Sequence, residues 1–186
     1  MSRFTITATP LAGLMVLERH PRMDARGYLE RLFCIDELKT LLAGRTILQI
    51  NHTFTAQKGT VRGLHFQHPP HAEMKFVHCL RGEVFDVAVD LRKGSPTFLK
   101  WHAEVLTPDN HKTLVIPEGF AHGFQTLTDD CEMLYFHTAA YHPNAEAGLH
   151  PLDLRLAIHW PLPVAQLSTR DGNHPMLDDR FEGLVL

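Results

Sequence analysis

Short strand-like runs make up most of the chain, and only one segment repeats its apolar residues at a helical interval. The runs are rich in β-branched and aromatic residues and are separated by Gly, Pro, Asn and Asp. Such spacing is typical of β-sandwiches and barrels. The predicted strands cover residues 46–54, 60–67, 75–79, 84–91, 99–106, 112–116, 120–126 and 133–138. The pattern predicts a mainly β fold with a few short peripheral helices.

The expected helices are short. Between Asp36, a typical N-cap, and Gly44, a typical C-terminal stop, leucines form an apolar stripe at helical spacing. A single helical turn is also expected near residues 143–146, and short helical or irregular pieces in the Pro- and Asp-rich tail. No repeat or linker divides the chain, and its 186 residues suffice for one sizeable core. We therefore expect a single domain over residues 1–186.

The composition argues against several classes of protein. With 44% hydrophobic residues the chain is too apolar for a disordered protein, and no uninterrupted apolar run is long enough to span a bilayer. The net charge of −3, without a basic cluster, argues against nucleic acid or an anionic membrane as a partner. The first residues lack the apolar core of a signal peptide, and three scattered cysteines indicate a reducing compartment. We expect a cytoplasmic protein.

Ionisable side chains recur on the predicted strands beside aromatic ones. In an extended strand His65 and Gln67 face away from Phe66. By the same alternation Glu73 and Lys75 share one face. Each group alone is compatible with an exposed strand face or a hydrogen-bonded buried position. Together on one wall they favour a functional site, because burying ionisable groups without a role is costly.

The 14 histidines raise the question of a metal site. Metal-binding barrels of the cupin type carry two histidines one residue apart, followed by a glutamate. Here His65, His68 and His71 are spaced by three, so they alternate faces on a strand, and two prolines follow His68. The second cupin motif, Pro-x-Gly-x-x-His, is present and ends at His122. With half of the ligand set missing, the sequence predicts no bound metal.

Four stretches carry a resemblance to a known family. They read RGLHFQ at 62–67, VFDVAVDLRKGSPTF at 84–98, IPEGFAHGF at 116–124 and LSTRD at 167–171. In this order they resemble the dTDP-4-dehydrorhamnose 3,5-epimerases, and the likeness runs from about residue 26 to residue 171. The resemblance implies a cupin-like jelly-roll barrel without metal or cofactor, usually a homodimer. It also implies an enzyme that inverts the carbons flanking the ketone of a nucleotide 4-keto-6-deoxyhexose.

The resemblance assigns catalytic roles to four residues. Removing a proton α to a ketone requires a base over that carbon and a donor or cation at the enolate oxygen. Inversion also requires an acid on the opposite face of the sugar. By the resemblance His65 is the base, and Asp171 fixes the tautomer of its ring. Lys75 stands where the family keeps the lysine that meets the enolate oxygen, and Tyr135 matches the family's acid.

Further residues match family positions that contact the substrate. The forked guanidinium of arginine suits phosphate oxygens, so the predicted diphosphate ligands are Arg26, Arg62 and Arg170. Tyr141 is predicted to share a strand face with Tyr135 and to pack against the sugar or the nucleotide. The remaining predicted contacts are Glu30, Gln49, Asn51, His122 and Glu146.

The chain departs from the family pattern near the predicted site. Glu73 replaces the usual glutamine two residues before the lysine, and Phe136 replaces the lysine that usually follows the acid tyrosine. Glu30 lies four rather than five residues after Arg26, and a one-residue insertion precedes Arg62. The predicted catalytic residues are all present. The departures therefore bear on the identity of the nucleotide and the sugar, and on the number of carbons inverted.

The predicted function is inversion of C3 and C5 in dTDP-4-dehydro-6-deoxy-glucose by enolisation. The nearest rival inverts only C3 or only C5, or acts on a sugar that carries another nucleotide. The residues are also compatible with a sugar-nucleotide ketoisomerase, a non-catalytic sugar-nucleotide-binding barrel or a metal-dependent cupin oxygenase. A binding module has no need of a base dyad, so His65 with Asp171 favours an enzyme. The expected partners are the nucleotide sugar and a second copy of the chain.

Overall fold

Two antiparallel β-sheets form the framework of the computed structural model, which describes residues 2–186. The strands are β1 (Phe4–Ala8), β2 (Met15–Arg19), β3 (Arg22–Asp24), β4 (Gly27–Leu29), β5 (Gln49–Thr55), β6 (Val61–Gln67), β7 (Lys75–Arg81), β8 (Val84–Asp90), β9 (Trp101–Leu106), β10 (Lys112–Ile116), β11 (Phe120–Thr126), β12 (Cys131–His137) and β13 (Glu146–Gly148). The helices are α1 (Lys39–Leu42) and α2 (Thr169–Gly172). Among the described residues no helix is long and apolar enough to cross a membrane.

The chain passes repeatedly from one sheet to the other. One sheet has six strands in the order β1-β2-β10-β7-β12-β5, and the other has five in the order β13-β6-β11-β8-β9. Strands β3 and β4 form a separate hairpin. Strands that are neighbours in sequence, such as β6 and β7 or β11 and β12, therefore lie in different sheets. The predicted mainly β, cupin-like jelly-roll barrel is confirmed.

The main core lies between the two sheets. Val77 and Met133 of the six-stranded sheet belong to the same buried cluster as Ala88 and Phe124 of the five-stranded sheet. Burial of such apolar surface is the dominant stabilising contribution in a fold of this size. The two sheets thereby hold the side chains of their facing surfaces in fixed positions.

Each sheet is also covered on its outer face. The segment before and within α1 packs Leu38 and Leu42 against Phe76 of the six-stranded sheet. The C-terminal segment packs Leu156 and Leu177, among others, against the outer face of the five-stranded sheet. Strand β11 is consequently buried at all seven of its residues. This double cover explains why its sequence is nearly free of charged residues.

The structure corrects the expected helices and adds strands at the N-terminus. Helix α1 is shorter than residues 36–44, and its N-cap is Leu38, which makes no side-chain cap bond. The helix expected at 143–146 is absent, because the chain there turns and residues 146–148 pair with β6 as β13. The sequence did not predict strands β1 to β4, whereas the eight runs predicted downstream correspond to β5–β12. The ranges predicted for β10 and β11 are exact, and the other six differ at one or both ends.

Candidate active site

A cavity of about 280 Å³ lies between the two sheets, and its walls carry most of the predicted functional residues. The wall from the six-stranded sheet comes from β5, β7 and β12, and the facing wall comes from β6 and β11. Of the predicted residues, those lining it are Gln49, Asn51, Arg62, His65, Lys75, His122, Tyr135, Tyr141, Glu146 and Arg170. The cavity wall also includes residues that the sequence did not assign to the substrate: Thr53, Phe66, Gln67, Glu73, Phe124 and His137.

His65 is held by a buried carboxylate. Its Nε2 lies 2.8 Å from Oδ1 of Asp171, whose side chain is only 4% exposed. Burial raises the pKa of Asp171, but the hydrogen bonds and charge of its partners, His65 foremost, outweigh this and lower the pKa to about 2. The carboxylate is thus ionised near neutral pH and accepts the Nε2–H of His65. The other ring nitrogen, Nδ1, is then the one free to accept a proton.

The backbone around Asp171 fixes the carboxylate. The N–H of Gly63 donates to Oδ2 of Asp171 at 3.2 Å, and Oγ of Ser168 caps α2 by accepting from the Asp171 N–H at 3.0 Å. Gly63 has φ +127°, and a Cβ there would lie 2.6 Å from the Cα of Gly123. Glycine is required at this position because of both the backbone conformation and the close approach of β6 to β11.

Lys75 reaches the cavity from the opposite sheet and is paired with Glu73. Its Nζ lies 3.1 Å from Oε1 of Glu73, and both side chains are about nine-tenths buried. Oε2 of Glu73 accepts a hydrogen bond from Nδ1 of His137 at 2.7 Å. Burial raises the pKa of Glu73, yet the bonds and charges of His137 and Lys75 prevail and lower it. Glu73 therefore stays ionised beside the Lys75 ammonium group.

Tyr135 is a buried phenol in the wall opposite His65. It lies on β12, and its Oη is 3.4 Å from Oγ1 of Thr53 on the neighbouring strand β5. Burial raises the pKa of Tyr135 well above its ordinary value. The phenol is therefore protonated at neutral pH, as a proton donor must be. The sequence could have predicted Thr53 as a cavity residue, because it follows Gln49 and Asn51 at the two-residue interval that places side chains on one face of a strand.

A second histidine–carboxylate pair stands next to Tyr135. Nε2 of His122 lies 2.8 Å from Oδ1 of Asp86, which is completely buried. The rings of His122 and Tyr135 meet edge to face with centroids 6.0 Å apart. Burial raises the pKa of Asp86, against the lowering effect of His122. The pair fixes the His122 ring in the cavity wall.

The cavity rim is formed by a linked set of three residues. Nη1 of Arg170 lies 3.0 Å from Oε1 of Glu146, and the Tyr141 hydroxyl donates to Oε2 of Glu146 at 2.8 Å. Contrary to the prediction, Tyr141 does not share an extended strand with Tyr135, because β12 ends at His137. The following loop returns to the rim and brings Tyr141 to the cavity, with its N–H donating to Gln49.

Two predicted contact residues, Arg26 and Glu30, lie outside the cavity. Arg26 stands in the β3–β4 turn with its side chain 90% exposed and paired with Asp24. Glu30 follows β4 and lies 3.0 Å from Nε of the buried Arg19, while it also binds Nδ1 of His111. Glu30 thus serves as the counter-ion of a buried arginine in this chain.

One group within residues 2–186 has the composition of a metal site: His65, Asp171 and His174, whose ligand atoms all lie within 4.8 Å of one another. The sequence did not point to His174, although its position three residues after Asp171, at the end of α2, was a usable signal. His122, from the second cupin motif, faces Asp86 instead.

The comparison with family models decides the relationship. The model described as dTDP-4-dehydrorhamnose 3,5-epimerase matches residues 8–179. The chain belongs to this family. A dTDP-4-dehydrorhamnose 3,5-epimerase of Salmonella typhimurium is 39% identical to this family member over 175 residues, which cover 93% of this chain and 95% of the relative. A dTDP-4-dehydrorhamnose 3-epimerase of Streptomyces niveus is 35% identical, with 94% of this chain and 85% of the relative covered.

Solved structures of the epimerase family share the fold. The crystal structure of a dTDP-6-deoxy-D-glucose-3,5-epimerase from Legionella pneumophila, in complex with dTDP-4-keto-L-rhamnose, superposes with a TM-score of 0.90 at 38% identity. The match covers 98% of this chain and 99% of that one. The jelly-roll barrel is therefore that of the family along nearly its whole length.

Proposed function

We propose that this chain inverts C3 and C5 of dTDP-4-dehydro-6-deoxy-glucose by enolisation and releases dTDP-4-dehydro-L-rhamnose. The observation that carries the proposal is the placement of His65 and Tyr135 on opposite sheets across one cavity, with Lys75 on the Tyr135 side. Inversion requires a base and an acid on opposite faces of the sugar ring, and these two residues meet that requirement.

The proton transfers follow from the geometry of the His65 dyad. Nδ1 of His65 removes the proton α to the ketone, and the ionised Asp171 stabilises the imidazolium that forms. The Lys75 ammonium stabilises the negative charge on the enolate oxygen. Tyr135 then delivers a proton to the opposite face of the carbon, and solvent restores both groups. The reaction involves no net redox change and the Lys75 ammonium takes the place of a Lewis acid at the oxygen, so the scheme uses no metal and no cofactor.

The charged and polar side chains at the cavity rim bind the nucleotide part of the substrate. Arg62 and Arg170 line the cavity mouth beside His65 and offer forked donors to the diphosphate. Gln49 and Asn51 present side-chain amides from β5, and their mutual hydrogen bond of 3.1 Å leaves further donors and acceptors free. Tyr141, 54% exposed at the rim, has an aromatic face available for packing against the sugar or the base.

Proton NMR in D2O with dTDP-4-dehydro-6-deoxy-glucose tests the proposal. Deuterium is expected at both C3 and C5, with the product in the L-rhamno configuration. The His65→Asn variant should lose deuterium exchange at both carbons, and the exposed His159→Asn serves as its matched control. Normal exchange in His65→Asn would overturn the assignment of the base.

A mono-epimerase is the second candidate, favoured by one specific feature. Glu73, which departs from the family glutamine, lies in the cavity wall together with His137. Compared with the family glutamine, Glu73 adds a negative charge beside Lys75. This charge can alter the orientation in which a sugar binds next to the lysine. In the same NMR experiment, deuterium at only one of the two carbons would establish the mono-epimerase.

We further propose that the chain acts as a homodimer. Strand β5 is an edge of the six-stranded sheet, and Leu48, Ile50 and Phe54 expose more than half of their surface there. An unpaired strand edge with exposed apolar side chains favours association with another chain. Light scattering of the wild type and of Ile50→Glu tests this proposal, and a monomeric wild type would contradict it.

A cytoplasmic location is part of the same proposal. Cys34, Cys79 and Cys131 are all free thiols in the structure. Unpaired cysteines are typical of proteins kept in a reducing compartment. Fractionation of cells that express the chain, with a periplasmic or extracellular marker as reference, tests the location.

A further inference from the structure

We propose that His65, Asp171 and His174 form an inhibitory site for Zn²⁺ or a similar borderline transition-metal ion. Oδ1 of Asp171 lies 2.8 Å from Nε2 of His65 and 3.8 Å from Nε2 of His174. Ligand atoms around a tetrahedral Zn²⁺ are roughly 3.3 Å apart, given bonds of about 2.0–2.1 Å. These two distances bracket this value, and all three ligand atoms lie within 4.8 Å of one another, so the ion enters once the two imidazole rings turn toward each other.

The donor set also suits such an ion. Two imidazole nitrogens and one carboxylate oxygen are ligands that Zn²⁺ prefers, whereas Mg²⁺ prefers oxygen alone. Oδ2 of Asp171 is occupied by the Gly63 N–H, which leaves Oδ1 directed at the two rings. The rings of His65 and His174 stand edge to face with centroids 5.7 Å apart, and the carboxylate oxygen lies near a nitrogen of each.

The orientation of His174 is a second, independent observation. Its Nε2 is buried and has no hydrogen-bond partner among residues 2–186. An unpartnered buried nitrogen costs free energy and calls for an explanation. The ring also occupies space that exists only because residue 148 is glycine, since a Cβ at that position would collide with Nε2 and Cε1 of His174. A metal ion between His174 and Asp171 would satisfy the nitrogen.

Metal binding at this place blocks the base without filling the cavity. In the free protein Nε2 of His65 carries the proton and Nδ1 accepts. An ion bound to Nε2 leaves the single proton of the neutral ring on Nδ1, so that Nδ1 has no lone pair for the α-proton of the substrate. The proton has only moved from one ring nitrogen to the other. The expected loss of turnover depends on the proposed function, because it requires His65 to be the base. The expected binding of the ion does not depend on it.

Arg170 is a cation that must move when the ion enters. Its Nη2 lies 3.1 Å from Nε2 of His65, and its Nε is 3.7 Å from Oδ1 of Asp171. The side chain is 55% exposed and already bonded to Glu146 at 3.0 Å. It can therefore withdraw toward Glu146 and solvent.

Calorimetric titration with ZnCl₂, alongside turnover measured at the same concentrations, tests the proposal. We expect one Zn²⁺ to bind per chain, turnover to be lost as the ion binds, and a strong chelator to restore it. MgCl₂ should have no effect. The His174→Ala variant should keep its turnover in the absence of zinc, while its Zn²⁺ affinity falls roughly a hundredfold. Gly148→Ala, which displaces the His174 ring, should weaken Zn²⁺ binding in the same direction.

The control is His159→Asn, at an exposed histidine that packs beside Trp101. It should retain the zinc affinity and inhibition of the wild type. Inhibition of His174→Ala at the same zinc concentration as the wild type would overturn the proposal, as would full turnover of the zinc-saturated wild type. If the sugar is not turned over even without zinc, the proposed function fails, and the calorimetric comparison of wild type with His174→Ala still decides the metal site.

Discussion

His65 and Tyr135 belong to different sheets and line the same cavity from opposite sides. Each residue is fixed by a neighbour on its own side of the cavity: Asp171 holds the imidazole, and Thr53 approaches the phenol. Neither neighbour is close to its partner in sequence. The two proposed proton-transfer groups thus have separate hydrogen-bond partners, so we expect a conservative substitution in one to leave the partner of the other in place.

The Tyr135→Phe variant tests this independence. It removes only the hydroxyl from a buried ring, so the packing of the cavity wall should remain. His65 should still remove the proton from the α-carbon. We expect deuterium exchange with retained configuration, while inversion falls by roughly a hundredfold or more, the scale for losing a general acid. NMR in D2O separates exchange from inversion. Near wild-type inversion in this variant, with inversion lost in Tyr141→Phe, would mean that the two tyrosine roles are exchanged.

Glu73 offers a test on the opposite wall. Within residues 2–186 it is the carboxylate that pairs with the buried Lys75, and removing one partner of a buried ion pair leaves an uncompensated charge. We expect Glu73→Ala to lower the free energy of unfolding by about 3 kcal/mol. Glu73→Gln keeps a hydrogen-bond acceptor for Lys75 and should lose less. Urea denaturation at pH 7 measures both variants, and equal losses would show that the charge of Glu73 is unimportant.

The sequence predicted which residues meet at the cavity where strand position or a family motif locates them; their roles stay predictions. His65, Lys75, Tyr135 and most of the predicted contacts do line the cavity. It failed for His137 and His174, whose partners are set by the packing of distant segments. Glu73 meets His137 across 64 residues of sequence. No local pattern of polarity carries that information.

At the scale of elements, alternation located β5 to β12, with exact ends only for β10 and β11, and missed the N-terminal strands. Strand β13 shows the limit most clearly: residues 146–148 pair with β6 because tertiary contacts place them at its free edge. Helical propensity in so short a segment is too weak to resist such pairing. Helix α1 is short for a related reason, since its stability comes from packing Leu42 on the sheet rather than from a cap.

The turn after β8 allows a prediction about pH. Asp90, fully buried, accepts hydrogen bonds from Arg92 at 2.8 Å, Ser95 at 2.5 Å and Thr97 at 2.6 Å. Burial raises the pKa of Asp90, but these bonds outweigh it and lower the pKa from 3.8 to about 2. A carboxyl whose pKa is lower in the folded than in the unfolded state stabilises the fold above the unfolded pKa. That contribution is lost as the pH falls from about 4 toward 2.

We therefore expect Asp90→Asn to lower the free energy of unfolding by about 2 kcal/mol at pH 7. The difference from the wild type should shrink as the pH approaches 2. Denaturant unfolding at a series of pH values measures this, with the exposed Asp109→Asn as control. A difference that stays constant between pH 7 and pH 2 would mean that the carboxylate charge does not stabilise this turn.

At the scale of the molecule, the ends of the described chain are tied to the same barrel. Strand β2 pairs with β10 near the middle of the sequence, and Leu184 bridges to Arg92 after β8. We propose that residues 1–186 form a single domain. Circular dichroism and tryptophan fluorescence should then report one coincident unfolding transition in urea. Two separated transitions would divide the chain into independently folding units.

A second prediction for the whole molecule concerns turnover after metal ions have been removed. The proposed reaction needs only the transfer of protons between side chains and substrate, so dialysis against a strong chelator should leave turnover unchanged or raise it if zinc was present. The measurement compares initial rates before and after dialysis, with protein dialysed against plain buffer as reference. Loss of turnover that a single divalent ion restores would contradict the metal-independent scheme.

The C-terminal segment covers the five-stranded sheet and also supplies Arg170 and Asp171. Its regular structure amounts to the single turn of α2 and isolated bridges, so a molecule in which this segment has come loose gives nearly the same far-ultraviolet spectrum as an intact one. In such a molecule, however, His65 has lost its counter-ion. On the proposed scheme the enzymatic rate is therefore the sensitive measure of whether the segment is docked. We expect a preparation that has lost the residues after about 160 to keep its strand signal and to lose turnover.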